Sequence, residues 1–148
     1  MLTGKERLTE TQAAQISPVT LAFAGDAVFS LFIREKLVLE TGGKAADLQK
    51  TAAKVVSAKG QSALLEVLLP HLTETETDVF RRGKNAKKAT KSKSASHLEY
   101  SRSTGFEALL GYLYFTGATE RIREILEICF TEAFRLEETA KPFKPIRR

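Results

Sequence analysis

The chain has 148 residues, of which 43% are hydrophobic, and a formal net charge of +5. This size predicts one domain over residues 1–148, with a core at about 15–138 and a basic tail at 139–148. No apolar run reaches the roughly 20 residues of a membrane span, and the lone Cys129, a predicted core residue, excludes an intrachain disulfide. The polar, mixed-charge first residues do not form a signal peptide, so a cytoplasmic location is the simplest expectation.

The first strong helix is predicted over residues 18–39, after a partly helical lead-in. Ser17 suits the N-cap and Pro18 the first helical position, and a Gly-Gly pair ends the helix. Only three residues between 19 and 33 are polar, and one of them is Asp26. A helix this apolar on every side is typical of a buried helix. Asp26 is therefore expected to have a cationic partner or a shifted pKa.

The rest of the chain also has helical periodicity. One helix is predicted over residues 45–69, with Lys50 and Lys54 on a face away from its apolar side. Thr73 and Glu76 predict a capping box at the start of an amphipathic helix. Two more helices are predicted over residues 98–115 and from residue 119 to about residue 136. No segment has the period of a strand, so the predicted fold class is all-α.

Positive charge is concentrated between residues 81 and 93, where no acid occurs. The predicted polyanion-binding residues there are Arg81, Arg82, Lys84, Asn85, Lys87, Lys88, Lys91 and Lys93. Such a cluster indicates nucleic acid as a partner, although a solvated charge run is the usual alternative. No aromatic residue lies within the cluster, which favours contacts to a double-stranded backbone over base stacking. Residues 89–97 are predicted to form a loop.

Two isolated acids indicate a shared site. Asp26 alone is equally compatible with a buried side chain that accepts hydrogen bonds from a hydroxyl or an amide. Glu107, however, repeats the pattern as the single acid in the apolar stretch 106–115. Neither stretch contains a matching Lys or Arg, so the two carboxylates predict a shared cation, for which Mg²⁺ fits two hard oxygen ligands. His71 and His97 are interpreted as a helix-end residue and a loop residue, not as metal ligands.

Four motifs in order resemble the ribonuclease III family. Residues 21–29 (LAFAGDAVF) resemble its signature helix, and residues 104–114 (TGFEALLGYLY) resemble its second catalytic helix. Residues 56–61 (VSAKGQ) and 82–87 (RGKNAK) resemble the small Mini-ribonuclease III branch, which has the catalytic domain without a double-stranded-RNA-binding domain. The resemblance implies the helical endonuclease-domain fold, as a dimer.

The resemblance also assigns roles to residues. Asp26 and Glu107 match two family acids, the expected catalytic and metal-binding pair. Ala22 and Thr104 stand where the larger family has two further acids, which leaves the number of bound metal ions open. Phe23 matches an aromatic residue that inserts into the partner subunit, with simple core packing as an equally weighted alternative.

The implied function is a Mg²⁺-dependent endoribonuclease that cleaves double-stranded RNA by hydrolysis, leaving 5′-phosphate and 3′-hydroxyl ends. Its implied substrate is the precursor of large-subunit (23S) ribosomal RNA, and its expected partners are a second copy of the chain and a ribosomal protein that presents the RNA. The alternatives are a non-catalytic RNA-binding or ribosome-associated protein on the same fold, and a helical interaction module with structural acids.

Overall fold

The computed structural model describes residues 1–87 and 96–136, with side chains up to residue 130. The described residues form helices α1 (Glu10–Ala14), α2 (Pro18–Thr41), α3 (Ala45–Val56), α4 (Ala58–Leu68), α5 (Glu74–Asn85), α6 (His97–Phe115) and α7 (Thr119–Leu136). A short 3₁₀ turn, Leu69–His71, follows α4. No strand occurs among the described residues, which confirms the all-α prediction. Lys88, Lys91, Lys93 and the basic tail lie outside the described residues.

Local capping explains most helix ends. The Ser17 side chain accepts a hydrogen bond from the Thr20 amide at 3.3 Å, and Gly42 ends α2 with a φ of 62°. The predicted capping box at α5 is present, with the Thr73 hydroxyl on the Glu76 amide and the Glu76 carboxylate on the Thr73 amide. These ends form as predicted because side chains a few residues away satisfy the backbone groups that a helix end leaves unpaired.

The prediction of one helix over residues 45–69 is wrong, because the chain turns at Ser57. The Ser57 hydroxyl donates to the Lys54 carbonyl at 2.8 Å and accepts from the Gly60 amide at 3.1 Å. Ser57 thereby ends α3 and caps α4. A Cβ on Gly60 would lie 2.3 Å from the Lys54 oxygen, so only glycine fits inside this corner. Apolar residues recur on both sides of the turn, and their period alone does not reveal it.

The central helix is α6, which contacts α2, α4, α5 and α7. Phe106, Leu109 and Leu110 are fully buried. The prediction that α2 is buried on every side is wrong, because its Phe23, Leu31 and Val38 side chains are exposed. A helix is also hydrophobic on all sides when one face packs on the core and the opposite face is an exposed apolar surface.

The N-terminal lead-in runs beside the end of α6. The Leu2 amide donates to the Tyr114 hydroxyl at 2.8 Å, and the Leu8 amide donates to the Phe115 carbonyl at 2.7 Å. Ala13 of α1 is fully buried. Within residues 1–87 and 96–136, no helix combines the length and the apolarity needed to cross a membrane.

Candidate active site

Two glycines allow α2 and α6 to cross at backbone contact. A Cβ on Gly25 would lie 1.7 Å from the backbone oxygen of Glu107, and a Cβ on Gly111 would lie 2.0 Å from the backbone oxygen of Leu21. No larger residue fits at either position without separating the helices. The contact fixes Asp26, which follows Gly25, beside Glu107, which lies one turn before Gly111.

Asp26 and Glu107 form a carboxylate pair at this crossing. Burial raises the pKa of Glu107 to about 9, and both a hydrogen bond with Asp26 and the negative charge of Asp26 contribute. Behind the pair, the Phe29 and Phe106 rings meet edge to face with centroids 5.1 Å apart, and both are fully buried. The pair therefore lies at the rim of the apolar core, where the protein favours a proton or a cation between the two acids.

The structure changes the account of Asp26. Asp26 is exposed, although the apolar stretch around it predicts a buried helix, whereas Glu107 is mostly buried. The pairing itself was predicted from the two sequence patterns. Asp26 lies on the same helix as the exposed Phe23 and is itself open to solvent.

Buried residues occupy the two positions where this chain lacks an acid of the ribonuclease III pattern. Ala22 is buried one turn before Asp26, and the Thr104 hydroxyl donates to the Tyr100 carbonyl at 3.0 Å. Within the part of the chain that the structure describes, no group of three or more His, Cys, Asp or Glu residues is placed to hold a metal ion. The donor set consists of the two carboxylates of the pair, so the remaining ligands of any cation would be water or substrate oxygens.

The predicted RNA-binding residues fall into separate groups. Arg81 and Arg82 both bind Asp78, at 2.8 and 3.4 Å, so part of the charge that the sequence concentrates here is neutralised. The Arg81 hydrogen bond holds the pKa of Asp78 below its ordinary value. Asp78 lies three residues before Arg81 and four residues before Arg82. On a helix this spacing favours ion pairs, so the sequence could have indicated them.

The lysines of α3 belong to another region. Leu48 and Ala52 of α3 line a groove with Leu37 and Val38 in the C-terminal half of α2. Leu37 lies about 16 Å along the helix from Asp26. Lys50 and Lys54 therefore project from a helix that packs away from the α2–α6 crossing. Lys84, Asn85 and Lys87, by contrast, line a cleft between the end of α5 and the start of α6.

Two further glycines allow α5 and α6 to pack closely beside this cleft. A Cβ on Gly83 would lie 2.9 Å from the Gly105 Cα, and a Cβ on Gly105 would lie 2.6 Å from the Phe80 oxygen. The second pair of glycines sits in the 82–87 and 104–114 motifs, so each motif contributes a helix contact as well as polar residues. His97, predicted as a loop residue, is the first residue of α6 and lines the cleft.

Comparisons with known proteins agree with this architecture. A family model described as the ribonuclease III domain matches residues 19–118. Mini-ribonuclease 3 of Symbiobacterium thermophilum is 48% identical over 112 residues, which cover 76% of this chain and 86% of that protein. Mini-ribonuclease 3 of Brevibacillus brevis is 43% identical over 126 residues, which cover 85% of this chain and 93% of that protein. A solved structure of a Fusobacterium nucleatum protein matches with a TM-score of 0.73 and 31% identity, covering 80% of this chain and 94% of that one.

A helical fold with an Asp–Glu pair at the crossing of two glycine-containing helices is thus the fold of a ribonuclease III-type endoribonuclease. The chain belongs to the ribonuclease III family and, within it, to the Mini-ribonuclease III branch.

Proposed function

We propose that this chain cleaves double-stranded RNA with Mg²⁺ as cofactor, leaving 5′-phosphate and 3′-hydroxyl ends. The observation that carries the proposal is the Asp26–Glu107 pair, because two acids held together at the edge of a core suit a shared divalent cation. The proposal treats residues 1–148 as one catalytic domain. Family membership supports the reaction class.

Glu107 is the proposed principal metal ligand, since its backbone is fixed against Gly25 and its carboxylate is the more buried of the two. Asp26, exposed beside it, would complete the protein ligands and accept a hydrogen bond from the attacking water. A bound divalent cation supplies a more acidic water and neutralises charge on the phosphate. In the hydrolysis the water oxygen forms a bond to phosphorus, and the bond from phosphorus to the 3′ oxygen breaks.

We also propose that the chain acts as a homodimer through the apolar face of α2. This face consists of the exposed side chains Val19, Phe23, Leu31 and Val38. Phe23 is 83% exposed in the single chain, so core packing does not explain it, and it becomes the proposed dimer contact. The exposed side chains are spread along about 28 Å of one helix, and several large apolar side chains exposed on one element are typical of a protein interface. A two-fold contact through α2 would carry two carboxylate pairs, one for each RNA strand.

The RNA-binding surface is proposed to include Lys84, Asn85 and Lys87, with Lys88, Lys91 and Lys93 beyond the described residues. To bind RNA, Arg81 and Arg82 would have to release Asp78 and bind a phosphate instead. Lys50 and Lys54 would bind RNA at a distance from the carboxylate pair. The proposed substrate is a precursor of 23S ribosomal RNA, in the cytoplasm, with a ribosomal protein as the proposed presenting partner.

A non-catalytic RNA-binding protein is the second candidate function. It is favoured by the buried Ala22 and Thr104, because among the described residues they leave two acids, Asp26 and Glu107, at the site. Retention of Asp26 and Glu107 together in one contact favours the enzyme, because RNA binding alone does not require an acid pair next to a polyanion.

Incubation of the protein with a structured precursor ribosomal RNA tests the proposal. We expect cleavage with Mg²⁺, none with EDTA, and none in Asp26→Asn or Glu107→Gln, while Glu6→Gln, a change at an exposed acid in the lead-in, retains activity. RNA binding without cleavage by the wild type would favour the second candidate, and the absence of RNA binding would favour a protein-interaction module.

A further inference from the structure

Arg34 is a charged residue within the apolar face of α2. With 3.6 residues per turn, it lies within about 60° around the helix axis of each exposed apolar side chain of that face, Val19, Phe23, Leu31 and Val38. Arg34 is itself exposed, and no acid stands three or four residues away from it on the helix. When two copies of the chain meet through α2, this guanidinium is taken out of water and needs an acid from the partner subunit.

The contacts of Arg34 within its own chain do not neutralise its charge. One guanidinium nitrogen donates to the Ser30 hydroxyl and, at 3.4 Å, to the Ser30 carbonyl. Within the described residues Arg34 forms no ion pair. Arginine has five N–H donors in a planar fork, so most of them remain available to a partner.

The sequence of α2 offers three acids that a second copy could present to Arg34, namely Asp26, Glu35 and Glu40. Glu35 and Glu40 line a cleft between α2 and α7, on another side of the helix. Asp26 is exposed, forms no ion pair within the described residues, and lies within about 60° of Phe23 around the helix axis. Asp26 is therefore the acid of α2 that borders the apolar face.

A two-fold axis decides which residues of the two α2 helices meet. Parallel helices would place each residue beside its own copy, so Arg34 would repel the partner's Arg34. Antiparallel helices instead place residues at equal distances on the two sides of the axis opposite each other. With the axis at Ser30, each Arg34 lies opposite the partner's Asp26, because both stand four residues, about 6 Å, from the axis.

Two further features agree with an axis at Ser30. Ser30 lies close to the midpoint of residues 19 and 38, so this register covers the whole set of exposed apolar side chains. The same register places the partner's Phe23 opposite Leu37, which lines the groove between α2 and α3 together with Arg34. Apolar burial and charge pairing therefore favour one arrangement.

We propose that Arg34 completes the active site of the partner subunit by binding Asp26 across the dimer. The inference rests on the proposed function, because it gives the dimer contact a role at the carboxylate pair. The planar guanidinium donates parallel hydrogen bonds to the Asp26 carboxylate and fixes its orientation beside Glu107. Arg34 is a positioning residue, since it acts on the reaction through Asp26. Each site is then complete only in the dimer.

Mixed dimers test whether Arg34 acts in the site of the partner subunit. Two heterodimers, each purified through two different affinity tags, carry the same two substitutions, Asp26→Asn and Arg34→Ala. In the first, the substitutions are on different chains, so one site keeps Asp26 and receives Arg34 from the partner. In the second, both are on one chain, so the intact Asp26 lacks its Arg34. Single-turnover cleavage of duplex RNA with Mg²⁺ should be about tenfold faster in the first, as for loss of a hydrogen bond to a charged group.

The order of the two rates separates the explanations. A faster second heterodimer would show that Arg34 acts within its own chain, and equal rates would show that it has no role at the site; both results would overturn the proposal. A weaker fold or dimer would slow both heterodimers equally, so it does not produce the expected order. The matched control is Glu35→Ala in place of Arg34→Ala, which should give equal rates in both arrangements because Glu35 faces the cleft with α7.

The dimer affinity tests the same contact without the reaction. Sedimentation equilibrium in EDTA measures the dimer Kd of Arg34→Glu, of Asp26→Arg and of the two together. Each single reversal should raise the Kd about tenfold or more, because it places like charges opposite each other, and the double exchange should return the Kd to within about threefold of the wild type. Arg34→Glu combined with Glu35→Arg should show no such recovery.

Absence of recovery in the double exchange, or a monomeric wild type, would overturn the proposal. A wild type that forms the dimer but cleaves no RNA with Mg²⁺ contradicts the proposed function, and the charge exchange then decides the contact between Arg34 and Asp26 on its own.

Discussion

Replacing Glu107 with Gln should stabilise the metal-free protein at neutral pH and remove most of its pH dependence. The native carboxyl has a pKa of about 9, against an ordinary value of 4.5. Between these values the native state keeps a proton that the unfolded chain has lost. The free energy of unfolding should therefore fall by about 1.4 kcal/mol per pH unit as pH rises through this window, with full stability below about pH 4.5.

At pH 7 the proton that native Glu107 retains lowers the free energy of unfolding by about 3 kcal/mol, a large share of the stability of a small domain. Gln cannot ionise in either state, so Glu107→Gln should gain roughly this amount. Added Mg²⁺ should recover the lost stability of the wild type at high pH and release a proton, because a cation replaces the proton between the acids. The variant should not respond in this way.

Urea unfolding followed by circular dichroism in EDTA, from about pH 5.5 to 8.5 at constant protein concentration, measures these differences. Glu6→Gln, at an exposed acid, should keep the wild-type slope. Parallel stability profiles for the wild type and Glu107→Gln would refute the argument. A loss of several kcal/mol in Glu107→Gln at pH 7 would instead assign Glu107 a structural role.

Three further changes test the architecture. Phe23→Glu should convert a dimer into a monomer in sedimentation equilibrium. Leu2→Glu, at another exposed apolar residue, should leave the dimer intact. A monomeric wild type would contradict the dimer proposal. Gly25→Ala should lower the free energy of unfolding by roughly 3 kcal/mol or more, because its Cβ meets the Glu107 backbone, while Gly4→Ala, with no atom within 4 Å, should cost only about 1 kcal/mol for its positive φ. Arg121→Ala should cost about 3 kcal/mol above pH 5, because it leaves Glu76, which is 5% exposed, without its two 2.8 Å hydrogen bonds. Burial raises the pKa of Glu76, but the bonds and charge of Arg121 together with the hydrogen bonds from Thr73 outweigh it and hold that pKa below the ordinary value. The contribution of Arg121 should therefore disappear as pH falls through the native pKa, and a pH-independent loss would count against the explanation.

Much of the fold follows from short-range patterns in the sequence. The start of α2 at Ser17 and Pro18, its end at Gly42 and the capping box of α5 were all predicted from residues within one turn of the helix end. The two isolated acids also indicated their own pairing. Each of these features depends on local hydrogen bonding or on a charge in an apolar segment, and such signals are present before the chain packs.

Other features depend on which surfaces meet. The period of residues 45–69 fits one helix, but the fit of Gly60 against the Lys54 carbonyl produces a corner. The Glu76–Arg121 pair joins residues 45 positions apart, and neither residue alone indicates the other.

The sequence by itself determined that the chain is helical, where most of its helices begin and end, and that Asp26 and Glu107 belong together. Only the tertiary structure decided that α6 is the buried helix and that α2 keeps an exposed apolar face with Asp26 beside it. The physical reason is that a hydrophobic pattern indicates how much apolar surface must be buried. It does not record whether the covering surface comes from the same chain or from a partner.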